Sequence, residues 1–266
     1  MLISPTLMKT RMLSVRSALP RVCCSKAVVF AGLLLLVSFS AAAVEAQQQM
    51  SKRYPAAKNV RVELKNLSGT IIVESWNKDE IKLTATFESP KANISPRQTS
   101  EALIVDVMAD NRGRTDVGNI NFKLLVPVNS SVDLETKRGQ IHVTNISGQL
   151  VRAHVSLEGD IELSGISASQ VYAQNTIGNI FFDGQFARGG TYRFQSSKGD
   201  ITIRIPADSA FNLEAAAPNK RIALGQFWGN GIKSMGDGRK LQGDVIDGRS
   251  KVVVTNFQGS ITFMRR

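Results

Sequence analysis

From Asn59 onward, apolar and polar residues alternate along most of the chain. Val60, Val62 and Leu64 are separated by Arg61, Glu63 and Lys65, and Ile81, Leu83, Ala85 and Phe87 recur at every second position. A period of two puts one set of side chains on one face of an extended strand. Further strands are predicted at 103–107 and 122–128, and the polar, proline-containing stretch 88–101 and the segment 110–118 read as loops. From Ser131 the alternation becomes a repeat: a glycine, a polar residue, a β-branched residue, any residue, then an apolar one. It reads Gly139-Gln140-Ile141-His142-Val143, Gly159-Asp160-Ile161-Glu162-Leu163, Gly178-Asn179-Ile180-Phe181-Phe182 and Gly199-Asp200-Ile201-Thr202-Ile203. The glycines are 20, 19 and 21 residues apart. A second landmark keeps the same step: Val132 and Leu134, Val151 and Ala153, Val171 and Ala173, Tyr192 and Phe194, Phe211 and Leu213.

A fixed period of about 20 residues marks a stacked repeat. Each repeat has room for two short strands and two corners. One repeat cannot bury its own apolar row; stacking at about 4.8 Å buries it continuously and pairs each backbone with the next. The predicted fold is therefore all-β: a single β-solenoid, β-helix-like, over 59–266. Gly139, Gly159, Gly178, Gly199 and Gly259 are its corners, where glycine admits conformations other residues avoid. Gln140, Asp160, Asn179 and Asp200 are expected to bond across rungs at those corners. Residues 225–248 hold seven glycines and read as loops or a loose hairpin. The phrase then returns once, at 256–263, so a final rung ending in Arg265 and Arg266 is expected to blunt the open end.

The first 46 residues follow another grammar. Five basic residues precede an uncharged, mostly apolar run at 27–44, and Val44-Glu45-Ala46 offers a small-x-small cleavage site. This is the pattern of a secretory signal peptide at 1–46, with an uncleaved membrane anchor as the alternative. Residues 47–58 read as a linker. Export is thus expected, to the periplasm, cell surface or medium. Cys23 and Cys24 both lie in the leader, so the mature chain has no thiol chemistry or disulfide. Removing 1–46 takes five basic residues and one acidic residue from the 33 and 22 of the whole chain, so the formal charge falls from +11 to +7. The charges are scattered. That argues against nucleic acid as a partner and leaves an acidic glycan or envelope component as a candidate.

These residues resemble those of a known family of exported bacterial proteins, called putative adhesins, of β-strand-repeat type. The likeness rests on Val60-x-Val62, Asn66-x-x-Gly69-x-Ile71-x-Val73, Trp76, Leu125-Val126-Pro127 and the glycine phrases, and spans 59–266. It implies a β-helix-like protein outside the cytoplasm and brings no catalytic or binding residues with it.

Candidate chemistry is sparse. Glu158, Asp160 and Glu162 alternate, but they lack the glycine framework of a calcium-binding repeat. His142 and His154 are expected on different strands, which does not suggest a catalytic triad. Outward residues show no carboxylate pair suited to glycoside cleavage. No cofactor is expected. The row Arg152, Tyr172, Arg193 has one residue per repeat and is a candidate ligand-contact stripe, two cations around an aromatic; Trp76, Phe181 and Trp228 are candidate additions. The sequence thus predicts a non-enzymatic, adhesin-like protein that touches a glycan or envelope partner. The alternatives are a structural protein assembling by end-to-end stacking and a β-helical polysaccharide lyase or hydrolase.

Overall fold

The computed structural model describes residues 48–88, 92–229 and 231–266; the expected signal peptide lies outside the described residues. Two long sheets, of ten and eleven strands, share one hydrophobic core. Strands are numbered in chain order. The regular part is built from rungs, each giving one strand to each sheet. The second sheet takes Arg61–Ser68 (β2), Ser131–Arg138 (β8), Leu150–Glu158 (β10), Gln170–Ile177 (β12), Thr191–Lys198 (β14) and Lys251–Gln258 (β20). After a short corner, the first sheet takes Ile71–Trp76 (β3), Ile141–Thr144 (β9), Ile161–Ile166 (β11), Ile180–Gly184 (β13), Ile201–Ile205 (β15) and Ile261–Arg265 (β21). All these neighbours pair in parallel. The two sheets do not close on one another.

The predicted rows are present. Ile141, Ile161, Ile180, Ile201 and Ile261 stack in register on one sheet, and Val132, Val151, Val171, Tyr192 and Val252 on the other, all buried. Parallel strands normally read as continuous apolar runs because both faces are covered. Here one face meets the core and the other meets solvent, so the alternation survives in the sequence. Towards the C-terminal half the core turns aromatic. Phe182 lies 5.1 Å from Phe194, Phe186 lies 4.4 Å from Tyr192, and Phe211 stacks on Phe263 at 5.7 Å.

Both ends depart from sequence order. Ala102–Asp106 (β6) and Ile120–Pro127 (β7) form the rung outside β2/β3, so β2/β3 lies between β6/β7 and β8/β9. Phe211–Ala216 (β16) and Ile222–Ala223 (β17) form the outermost rung at the far end, and β20/β21 lies between them and β14/β15. The final repeat is therefore not the exposed tip expected from the sequence. The landmark at 211 is also displaced. With β20 inserted, Leu213 and Ala215, not Phe211 and Leu213, continue the row of Tyr192 and Phe194.

Antiparallel strands finish the near end of both sheets and the far end of the second. Glu80–Phe87 (β4) pairs with β7, and Gln48–Pro55 (β1) pairs with β4. Most of the expected linker 47–58 is thus strand: Gln48–Pro55 is part of the sheet, and Tyr54 is buried. It reads as a linker because its core-facing row, Gln48, Met50, Lys52 and Tyr54, carries little apolar character. Arg97–Gln98 (β5) edges β6. In the glycine-rich segment, Ile232–Met235 (β18) and Lys240–Val245 (β19) form a hairpin that extends the second sheet from β16. The only α-helix among the described residues is one turn, Val107–Asp110, capped by the Asp106 carboxylate accepting from the Ala109 N–H at 2.9 Å.

Candidate functional site

The corners fix where every outward side chain points. Between the sheets the chain turns through the phrase glycines, which sit directly above one another. A Cβ on Gly159 would lie 1.8 Å from the Gly139 carbonyl oxygen, and one on Gly199 would lie 2.0 Å from that of Gly178. Glycine is required there by the close approach of stacked backbones as well as by φ values of 151° and 131°. Beside the column, Asp160 Oδ1 accepts from the Asn179 N–H at 2.6 Å, Asn179 Oδ1 from the Asp200 N–H at 2.9 Å, and Asp200 Oδ1 from the Ser260 N–H at 2.8 Å. Gln140 does not join this ladder; its amide oxygen is 3.1 Å from His142 Nε2. Bonds from the Ser260 N–H and hydroxyl hold the Asp200 carboxyl below its ordinary pKa, aided by nearby Lys220.

A second ladder runs inside the corner. Asn66, Thr136, Asn175, Ser196 and Asn256 occupy one register row, interrupted only by Val155, and are buried. Asn256 Nδ2 donates to the Gly199 and Ser260 carbonyls at 2.7 and 3.0 Å, and Asn66 Nδ2 to those of Ser68 and Ile120 at 2.9 and 2.8 Å. These side chains add a donor at the corner carbonyls, some of which, such as that of Ser260, also accept a backbone N–H from the neighbouring rung (Ile201, 3.0 Å). The glycine phrases do not single them out. Their signal was a polar residue at the third core-facing position of a strand, as in Val252, Val254, Asn256.

A family model described as Toastrack DUF4097 matches residues 44–219, well over half of the chain. The chain belongs to the Toastrack DUF4097 family. The match begins before β1, so that strand lies within the family's span. It stops short of β20 and β21. Among solved structures, this Toastrack chain is similar to a putative cell adhesion protein from Clostridium sporogenes ATCC 15579, at a TM-score of 0.50 and 12% identity, over 83% of this chain and 100% of that one. A putative adhesin from Bacteroides fragilis NCTC 9343 matches at 0.42 and 12%, over 82% and 97%. A putative lipid binding protein from Parabacteroides distasonis ATCC 8503 matches at 0.36 and 9%, over 81% and 96%. At such identities the first likeness concerns the fold alone. No curated protein matches the chain.

On the solvent face of the Toastrack chain's second sheet, Arg152, Tyr172 and Arg193 are direct register neighbours on β10, β12 and β14. They are not equivalent. Arg152 Nη1 donates to both Asp133 carboxylate oxygens, at 3.1 and 3.2 Å, and Arg61 links Asp133 to Glu63 through contacts of 3.5 and 2.9 Å. This half of the row is a closed network of ion pairs. Arg193 is exposed and makes no ion pair among the described residues, and Tyr172 beside it is half-buried. Gln170 and Gln174 on β12 and Thr191 and Gln195 on β14 flank these two, so amides and a hydroxyl surround an aromatic and a free cation. An open polar groove of about 630 Å³, lined by Arg61, Glu63, Ser131, Gln149, Leu150 and Gln170 among others, borders the row.

The other candidates lie elsewhere. Phe181 belongs to the first sheet, where the Arg204 guanidinium sits 5.5 Å above its ring and donates to Asp183 at 2.6 Å. The Asp183 carboxylate raises the Arg204 pKa further. Trp76 Nε1 donates to the Glu80 carbonyl at 2.7 Å, stapling a turn with Lys78 over its ring. Trp228 is exposed just past the 3-10 turn Gly225–Phe227. None of the three joins the stripe. His142 lies on the first sheet, with Nδ1 3.1 Å from Glu162, whereas His154 is on the second, 3.8 Å from Glu135. Ser164 bonds Glu162, not a histidine. Glu162 and Asp160 thus have separate partners, and no three metal-binding side chains gather among the described residues.

Proposed function

We propose that the chain is an exported, non-enzymatic, adhesin-like protein, wound as one β-solenoid behind a cleaved signal peptide. Its solvent face on the second sheet binds a glycan or other envelope component. The observation that carries this reading is the unpaired Arg193 in register beside Tyr172 with glutamines around them. A ring lying on the tyrosine meets hydrogen-bonding amides on both sides along the strand, and an acidic substituent meets a cation whose charge is not spent on a neighbour. Arg152, by contrast, is engaged by Asp133 and serves as scaffold for the row. The adhesion-related names of the structural neighbours agree with this reading. Such a surface needs only rigidity and register, which the two ladders supply.

The test is binding of the unit Gln47–Arg266 to an array of glycans and envelope fractions, beside Tyr172→Ala/Arg193→Ala and Arg152→Ala variants. Saturable binding is expected to drop at least tenfold in the double variant while its unfolding midpoint stays unchanged. Arg152→Ala is expected to lose less. Binding equal in the double variant and the parent protein excludes this face as the contact.

A further inference from the structure

The last rung is gripped from both sides. β20 pairs with β14 from Thr191–Lys251 to Lys198–Gln258, and with β16 from Asn212–Lys251 to Ala216–Thr255. β21 pairs with β15 along its whole length and with β17 through Ile222–Ile261. Val252, Val254, Ile261 and Phe263 are buried in the core. Yet the two rungs around it, β14/β15 and β16/β17, are joined directly in the chain by residues 206–210. The chain builds both walls of a slot before it supplies the filling.

The entry to the slot is a short link, 246–250, between β19 and β20. Ile246 in that link has φ 61° and is 68% exposed. A β-branched residue in the left-handed region is a true outlier, and no burial compensates it here. Ile246 sits in a tight turn, closed by the Gly248 N–H on the Val245 carbonyl at 3.4 Å, that folds the link back towards the slot of its own chain. A second copy offers an identical slot with the same backbone partners and the same apolar walls, reached by a link free to extend. An element with complete, copy-independent contacts and a short strained hinge has what is needed for exchange between chains.

We propose that residues 251–266 exchange between two copies of this chain, each donating its last rung to the slot between β14/β15 and β16/β17 of the other. The partner is a second copy of the same protein, joined by strand exchange and not by stacking of ends. The exchanged pair carries two copies of the second sheet's solvent face, so any ligand with repeated epitopes is held at two points.

Gln195 on β14 and Thr255 on β20 are exposed register neighbours, and no cysteine lies beyond residue 24. Gln195→Cys and Thr255→Cys variants of Gln47–Arg266, each carrying one substitution, are unfolded together, refolded at high protein concentration and oxidised. Exchange sets the sulfur of one chain beside that of the other. A mixed disulfide dimer is expected in at least tenfold excess over the dimers either variant forms alone. Adding Ile246→Gly to both chains relieves the hinge and is expected to lower the mixed dimer several-fold; deleting residues 247 and 248 is expected to raise it. A mixed dimer no more abundant than the single-variant controls overturns the proposal, and an excess indifferent to both hinge changes overturns the role of the hinge.

Discussion

The middle of the molecule and its two ends obey different rules. From β8/β9 to β14/β15, neighbours in sequence are neighbours in space, and each rung repeats the one before. At the ends this fails twice in the same way. The first rung, β2/β3, is slipped between β6/β7 and β8/β9, and the last, β20/β21, between β14/β15 and β16/β17. The effect is that the first and last rungs each have parallel partners on both sides. The outermost rungs are internal segments; antiparallel strands then cover β6, β7 and β16, and β17 is left as a two-residue edge. An open parallel edge presents unpaired amides and carbonyls to any passing strand. Here the outer strand of the first sheet, β1, carries Lys52, Arg53 and Pro55, and β5 and β17 are two residues long. The middle shows how a repeat stacks; the ends show how stacking is stopped.

One methyl group placed in each region should have very different effects. In the middle, Gly159→Ala puts a Cβ into the Gly139 carbonyl at 1.8 Å, a backbone contact that cannot move without opening the corner. At the end, Gly238 in the β18–β19 hairpin has φ 82° and open space around its Cβ position. We expect Gly159→Ala to cost about 4 kcal/mol or more, enough to abolish cooperative folding. Gly238→Ala should cost about 1–2 kcal/mol, the penalty of the left-handed conformation alone. Urea unfolding followed by circular dichroism separates them. Equal losses would mean that the glycine column is not what holds the rungs together.

The buried amides give a finer test. Asn256, in the inserted last rung, donates at 2.7 and 3.0 Å, whereas Asn175, in the regular middle, donates to the Gly159 and Asn179 carbonyls at 3.3 and 3.4 Å. Removing either side chain takes a donor from two part-buried carbonyls, of which those of Ser260 and Asn179 keep the N–H of Ile201 and Ile161 at 3.0 and 2.9 Å. Asn256→Ala should cost about 2–3 kcal/mol and Asn175→Ala about 1 kcal/mol, since the longer bonds return less when made. Thermal midpoints of the two variants measure this. A larger loss at Asn175 would show that the regular corner depends on its staple more than the inserted one does.

What the sequence disclosed follows from the same division. Period-two alternation and the twenty-residue step come from contacts between adjacent rungs, so Ile141, Ile161, Ile180 and Ile201 could be stacked correctly by inspection. The position of β20 could not. Its phrase fits any slot lined by the same rows, and the 19-residue step from Tyr192 to Phe211 favoured a pairing that the inserted strand replaces with Leu213. β1 was hidden because an edge strand needs only one buried anchor, Tyr54, to hold its place. For the candidate site, the register of Arg152, Tyr172 and Arg193 was legible, being the period itself. The capture of Arg152 by Asp133 was not emphasised by any repeat, since Asp133 is the one acidic neighbour in that row within reach of it.

A smaller effect concerns charge at the corner ladder, where the last joint of the middle uses the amide of Asn179 and the joint with the inserted rung uses the carboxylate of Asp200. Both side chains accept a backbone N–H from the next rung, at 2.9 and 2.8 Å. Only Asp200 also accepts from a hydroxyl, that of Ser260, at 2.7 Å. Its folded pKa lies below the ordinary 3.8, so the unfolded chain binds the proton more readily. The resulting stabilisation is complete above pH 3.8 and is lost as the pH falls through the lower folded value. Asp200→Asn keeps an acceptor in place and removes the titration. Near neutral pH it should change stability by less than about 1 kcal/mol, because the carboxylate is largely open to solvent and its attraction to Lys220 is screened. Below pH 4 the variant should lose stability less steeply than the parent protein. Parallel urea titrations at pH 7 and pH 3 measure the difference. An unchanged acid limb would mean that Asp200 acts as Asn179 does, as an uncharged acceptor in all but name, and that the joint to the inserted rung is chemically no different from the Asn179 joint before it.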